Sequence, residues 1–138
     1  VASEDCNFAQ MEVQRGIMPF GGATVRFVNA AGWQKAMPYL MTGKPFDAAT
    51  ADKLGLVREV VPKGEQYTRA YQLATEISKA APLGVQALLA SALDGARNGA
   101  DSALGNIHSF LPPLFHSEDA KEGVMSMVER REAQFKGR

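Results

Sequence analysis

Cysteine occurs once in this sequence, at Cys6. A lone thiol closes no internal disulfide and suits a reducing compartment. No histidine or asparagine signature flanks Cys6, so it reads as a small buried residue rather than a nucleophile. Histidine is scarce too: His108 and His116 have no metal-ligand spacing to a cysteine or to a second histidine pair, which argues against a zinc site, and no metal is expected. There is no GxSxG elbow, no Walker loop and no GxGxxG, so amide-rich phosphate cradles are not the place to look for chemistry. No run is long enough to span a bilayer, and no basic-then-apolar leader is present. An excess of one charge is missing as well. Fifteen basic and fifteen acidic side chains cancel, so neither nucleic acid nor an anionic membrane is favoured as a partner. An initiator methionine is absent, and Val1–Ala2 reads as the tail of something earlier. The expected location is cytoplasmic.

What remains is an ordinary globular composition, 46% hydrophobic and 22% charged over 138 residues, enough for one domain with a sizeable core. A strand is predicted from about Asn7 to Met11, then a short helix over Gly22–Val28 with Val25 and Val28 one turn apart. A second helix is predicted over Trp33–Met41 with Gly43 as its C-cap, kinked or broken early at Pro38; Trp33 reads as core. Asp47 is the N-cap for Ala48–Leu54, Gly55 stops that helix, and Leu56–Val61 has the β-branched content of a short strand closed by Pro62. From Glu65 onward the pattern is helical. Tyr67, Tyr71, Ala74, Ile77 and Ser78 share a stripe of a helix ending near Ala81, and Pro82 opens a second carrying Val85, Leu88, Leu89 and Leu93 inward to Gly99. Asp101 caps a third through Leu111, broken by Pro112 and Pro113, and Ser117 caps a last over about Glu118–Gln134 with Val124, Met127 and Val128 on its apolar side. The cluster Glu129, Arg130, Arg131, Glu132, Lys136 and Arg138 reads as a solvated helix end whose cations complement the helix dipole. The class is therefore α/β, with strands, a glycine-rich turn and short helices over residues 1–62 and helices over 63–138, as one structural unit.

The stretch Phe8–Thr24, FAQMEVQRGIMPFGGAT, organises the rest. It holds one carboxylate, Glu12, among apolar neighbours. If Phe8–Val13 is extended, Phe8, Gln10 and Glu12 share one face. A carboxyl group facing partly apolar surroundings is harder to ionise, which suits proton transfer near neutral pH. Spacing alone also fits a strand-end glutamate in solvent. Gly21 and Gly22 leave backbone N–H groups open to a ligand because neither has a β-carbon, or they make a tight turn and nothing more.

FAQMEV, GIMPFGGAT and AAGWQKAMPYLMTGKPFDAATADKLGLVREVVP, followed by EDAKEGVMSMVERREAQF, resemble in order and spacing the second half of the crotonase family, the enoyl-CoA hydratases and isomerases. The resemblance covers nearly all of the chain. It implies a spiral of strand–strand–helix turns followed by a helical oligomerisation tail, assembled as trimers or hexamers. The implied substrate is an acyl-CoA thioester, with coenzyme A entering as part of the substrate and no separate cofactor. In the family an enolate-like oxyanion is stabilised by two backbone N–H groups, and hydratases hold the attacking water between two glutamates.

Residue by residue, the resemblance places Glu12 at the second of those glutamates, with Met11 where the family usually has proline, and so as general acid/base. Phe20, eight residues on, stands where a backbone N–H helps hold the water, with its ring adding bulk beside the acyl pocket. Gly21 and Gly22 join it as substrate-binding candidates. Arg130 falls where a basic residue reaches toward the adenosine phosphate of an adjacent subunit's ligand, and Leu111 where some members stack an aromatic on adenine. The family's first glutamate and both oxyanion donors match nothing here; Glu4 and Asp5 are not at the missing position. The resemblance thus implies a piece of a crotonase, a poor hydratase by itself, ordered with a complementary N-terminal segment or through self-association because an apolar face and strand edges are left uncovered. Isomerisation of a 3-enoyl-CoA, which runs on one base, and a non-catalytic assembly module are the alternatives.

Overall fold

The computed structural model describes residues 1–138, which divide into two compact units, Val1–Gln72 and Leu73–Arg138. In the first, β1 (Ala2–Ser3), β2 (Asn7–Phe8), α1 (Ala23–Ala31), α2 (Trp33–Thr42), β3 (Phe46–Asp47), α3 (Ala48–Lys53) and β4 (Val60–Val61) follow in order, and α4 (Gln66–Ser78) begins. In the second come α5 (Pro82–Asn98), α6 (Ala100–Asn106), α7 (Leu111–Phe115) and α8 (Glu118–Glu129). No helix is long and apolar enough to cross a membrane.

Two short ladders tie the first unit together. β1 pairs parallel with β4, Ala2 opposite Val60, and β2 pairs antiparallel with β3, Phe8 opposite Phe46. The second ladder delivers Phe46 to the core, where its ring lies 5.8 Å from Phe8, 5.8 Å from Phe27 and 4.6 Å from Tyr39. Ala36, Leu40, Ala51 and Leu54 complete this buried cluster. Small residues matter here, since fully buried Ala36 and Ala51 let α2 and α3 approach the aromatic rings.

Several boundaries differ from the sequence reading. The Asn7–Met11 strand pairs only through Phe8, because β3 offers it two residues. Of Leu56–Val61, only Val60 and Val61 find a partner, in β1. α2 passes through Pro38 to Thr42, forgoing the one backbone bond that residue 38 would donate to Gln34, and ends on Gly43 at φ 63°. Trp33 is 63% exposed: it stands on the same stripe as Ala36 and Leu40, but a turn before the core begins. Asp47 caps α3 as predicted, accepting the Thr50 N–H at 2.8 Å, and the Thr50 side chain, with this N–H second, holds its carboxyl below the ordinary range. Asp101 is not a cap. α6 starts at Ala100 after Gly99, and Asp101 sits in its first turn.

Pro112 and Pro113 do not end a helix but begin one. A 3₁₀ turn over Ile107–Phe110 leads into α7, whose first-turn N–H groups have no intrahelical partner in any case. Tyr67, Tyr71, Ile77, Leu88, Leu89, Leu93, Val124, Met127 and Val128 are exposed rather than inward.

Ser117 caps α8, accepting the Ala120 N–H at 3.0 Å while its hydroxyl donates to Leu114 at 2.7 Å. Ser117→Ala is expected to cost about 1 kcal/mol in a denaturation experiment, the usual worth of such a cap. The helix is shorter than its apolar pattern, ending where Arg130 turns left-handed at φ 54°. The chain then folds back along α8. The buried Asp119 carboxylate accepts the N–H groups of Lys136 (2.6 Å) and Gly137 (2.8 Å), and Glu118 donates its N–H to an Arg138 oxygen at 2.7 Å. Glu122 receives the Arg131 guanidinium through both its oxygens and the Gln134 N–H at 2.8 Å.

The Arg131 hydrogen bond, and after it that of Gln134, brings the Glu122 carboxyl from the ordinary 4.5 down to about 2. A depressed carboxyl contributes stability that is complete above the unfolded value and lost as pH falls through the folded one. The clasp is therefore expected to hold above pH 4.5 and to open as pH falls through about 2. The Gln134 amide resonance, followed by NMR during acid titration, checks this.

Candidate functional site

The first unit contains a cavity of about 640 Å³ lined by residues from the β2 strand end, α1, Phe46 and the Gly55–Leu56 turn. Its wall is largely apolar, with Phe8, Phe27, Ala30, Phe46 and Leu56 contributing. Two charged side chains interrupt it, Glu12 and Arg26. This size and lining suit a small organic ligand held by apolar contact and oriented by a few polar groups.

Glu12 does not arrive by strand alternation. The chain leaves β2 after Phe8, and Glu12 opens a 3₁₀ turn over Glu12–Arg15, stopped by Gly16 at φ 77°. Phe8, Gln10 and Glu12 nevertheless all line the cavity. The turn is braced from behind. Gln14 donates its amide to the Thr42 carbonyl at 2.8 Å. A β-carbon on Gly43 would lie 3.0 Å from the Gln14 side chain and 3.1 Å from the Gln10 carbonyl, so glycine is needed there for space as well as for its positive φ. Half-buried Glu12 lines the cavity, and one of its oxygens, Oε2, is buried without a hydrogen-bond partner. Most buried carboxylate oxygens are satisfied, so an orphaned one beside a cavity sets Glu12 apart from an ordinary surface glutamate.

The glycine turn lies on the same cavity, but only in part. Gly21 lines it, while Phe20 is 82% exposed and Gly22, at φ 91°, begins α1. The Arg26 guanidinium reaches back across the turn and donates to the Gly21 carbonyl. Leu111 and Arg130 belong to the second unit. Leu111, half-buried, lines an apolar groove of about 440 Å³ with Leu88, Ile107, Phe110 and Leu114, and Arg130 is the exposed residue that ends α8. Arg26 was not singled out from the sequence. The signal was the spacing of Ala23, Arg26, Phe27 and Ala30, one face of a helix at i, i+3, i+4 and i+7.

The whole chain, residues 1–138, matches the model of the enoyl-CoA hydratase/isomerase family. The chain belongs to that family. Enoyl-CoA hydratase EchA19 of Mycobacterium tuberculosis is 36% identical to it over 138 residues, which are 100% of this chain and 52% of that protein. The crystal structure of a probable enoyl-CoA hydratase/isomerase from Mycobacterium abscessus superposes with a TM-score of 0.95 at 46% identity, over 99% of this chain and 53% of the other. Enoyl-CoA hydratase from Bacillus anthracis does so with a TM-score of 0.95 at 26% identity, again over 53% of its chain. The architecture is therefore that of the crotonase fold, and this enoyl-CoA hydratase/isomerase family chain spans about half the length of the relatives it matches.

Proposed function

We propose that this chain serves the hydration of a 2-enoyl-CoA thioester, with Glu12 as general acid/base. The supporting observation is the buried, unpartnered Glu12 oxygen on the wall of an apolar cavity. In the reaction a C–O bond forms at C3, a C–H bond forms at C2 and the double bond between them is consumed. Glu12 exchanges a proton with the α-carbon or with the attacking water. The aromatic and aliphatic wall holds the acyl chain and excludes bulk water, and the Gly21 main chain is open to the ligand because no β-carbon intervenes.

A second reading is favoured by one observation: Glu12 is the only carboxylate among the residues lining the cavity. Moving a double bond from the 3- to the 2-position requires one base to take a proton from C2 and return it to C4, whereas hydration uses two acids around one water. Turnover of crotonyl-CoA, followed by loss of the enoyl absorbance, set against turnover of a 3-enoyl-CoA, separates the two. With one acid/base group in place, hydration by this chain is expected to run about 10²–10⁴-fold below that of an enzyme carrying both glutamates. Isomerisation faster than hydration decides for the second reading, and turnover of neither thioester overturns both.

A further inference from the structure

Glu12 stands on a short 3₁₀ turn, and such a turn has little of its own to hold it in place. Its main chain contributes the Gln14 N–H to the Met11 carbonyl at 3.0 Å and the Gly16 N–H to the Val13 carbonyl at 3.4 Å, and bonds of this spacing are the poorer kind. Where the turn sits is therefore decided by what it rests on. Two contacts with the end of α2 bracket Glu12 in the sequence. Before it, the Gln10 main-chain carbonyl comes so near that a β-carbon on Gly43 would stand 3.1 Å from it. After it, the Gln14 amide donates to the Thr42 carbonyl at 2.8 Å. That carbonyl belongs to the last turn of a helix, where no intrahelical N–H remains to meet it. Thr42 is itself fixed, its hydroxyl donating to the Pro38 carbonyl at 2.6 Å and accepting the Lys44 N–H at 3.3 Å. Every partner lies in this chain, so none of these contacts waits on a surface supplied from elsewhere.

We infer that Gln14 is a positioning residue for Glu12, holding the acid where it lines the cavity by tethering its turn to α2. This rests on Glu12 being the group that exchanges the proton. At about three residues per 3₁₀ turn, successive side chains leave about 120° apart, so Gln14 and Glu12 project from different sides. One side chain grips α2 while the other lines the cavity. An exposed hydrogen bond of this kind adds little to folding, because water competes for both partners. Proton transfer is less forgiving. A displacement of about 1 Å costs up to about 10²-fold in rate, so a contact too weak to move the melt still moves turnover. The donor is what counts. The Thr42 carbonyl lies at the negative end of the α2 dipole, where an N–H or a cation is favourable and a carboxylate is not.

The test is steady-state kinetics on whichever enoyl thioester the full polypeptide turns over, with a thermal melt of each sample. Gln14→Met, which keeps the length and loses the donor, is expected to lower kcat about tenfold with KM and melting temperature nearly unchanged. Gln14→Glu, of the same shape but only an acceptor, should lose as much or more. Gln14→Lys, which again offers N–H groups to the carbonyl, should recover most of the rate. Added to Glu12→Gln, Gln14→Met should cost nothing further, because it acts through a carboxyl already removed. An undiminished kcat in Gln14→Met overturns the inference and leaves the reading of Glu12 standing. The same loss with and without Glu12 also overturns it, as does a loss that follows the melting temperature, since Gln14 would then serve the fold at large. An undiminished rate in Glu12→Gln, or turnover of no enoyl thioester, removes the proposed function and this inference with it.

Discussion

Glu12→Gln is expected to lower kcat by about 10²–10⁴-fold while the protein melts at an unchanged temperature. The two halves of that expectation have different origins. The loss of rate follows from removing the one group in the cavity that can carry a proton. The unchanged stability follows from what Glu12 does not do: Oε2 has no partner, and the turn it opens is held through main-chain atoms, with Gly16 and Ile17 donating to the Glu12 carbonyl. An amide of the same shape disturbs none of these. Steady-state kinetics on an enoyl thioester and a thermal melt on the same sample check both halves. An intact fold with an undiminished rate would assign proton transfer elsewhere, and unchanged partner binding with no turnover in either protein would favour an assembly module.

Phe46→Ala should destabilise the first unit by about 3–5 kcal/mol, read as a shift in the denaturant midpoint. Phe46 is 8% exposed, stands in the β2–β3 ladder and packs against three other rings. Alanine would leave a void between elements that cannot close up independently, because the ladder, α1 and α2 each hold one of those rings. The core of this unit is small, so the loss is a large share of the 5–15 kcal/mol typical of a domain. The same ring lines the cavity, so thioester affinity should fall with stability. A loss below about 1 kcal/mol would mean that the aromatic cluster is not what holds the unit together.

Helix ends were legible in the sequence wherever a local device set them. Asp47 and Ser117 cap the helices assigned to them, Pro82 opens α5, and Gly43 and Gly99 close theirs. Each involves neighbours within a few residues, and a linear reading captures such neighbours. Strand lengths were not legible. Whether Ala9 or Leu56 belongs to a ladder depends on how far β3 or β1 extends, which is information from tens of residues away. The setting of Glu12 was misjudged: it lines the cavity from a 3₁₀ turn, not from an extended strand, and the turn's support comes from the end of α2. Arg26 went unnoticed because a cation on a short amphipathic helix ordinarily faces solvent, and only the fold shows it bent back over a glycine turn.

The bracing of that 3₁₀ turn has a practical consequence for anyone reshaping substrate range. Gln14 and Gly43 touch no part of the cavity, one exposed and the other buried, so a library confined to its lining would spare them. Yet the turn that carries Glu12 rests on their fit. A change at Gln14 should loosen the turn that carries Glu12, a side chain at Gly43 should strain the end of α2 as well, and both are best held constant while the wall is varied.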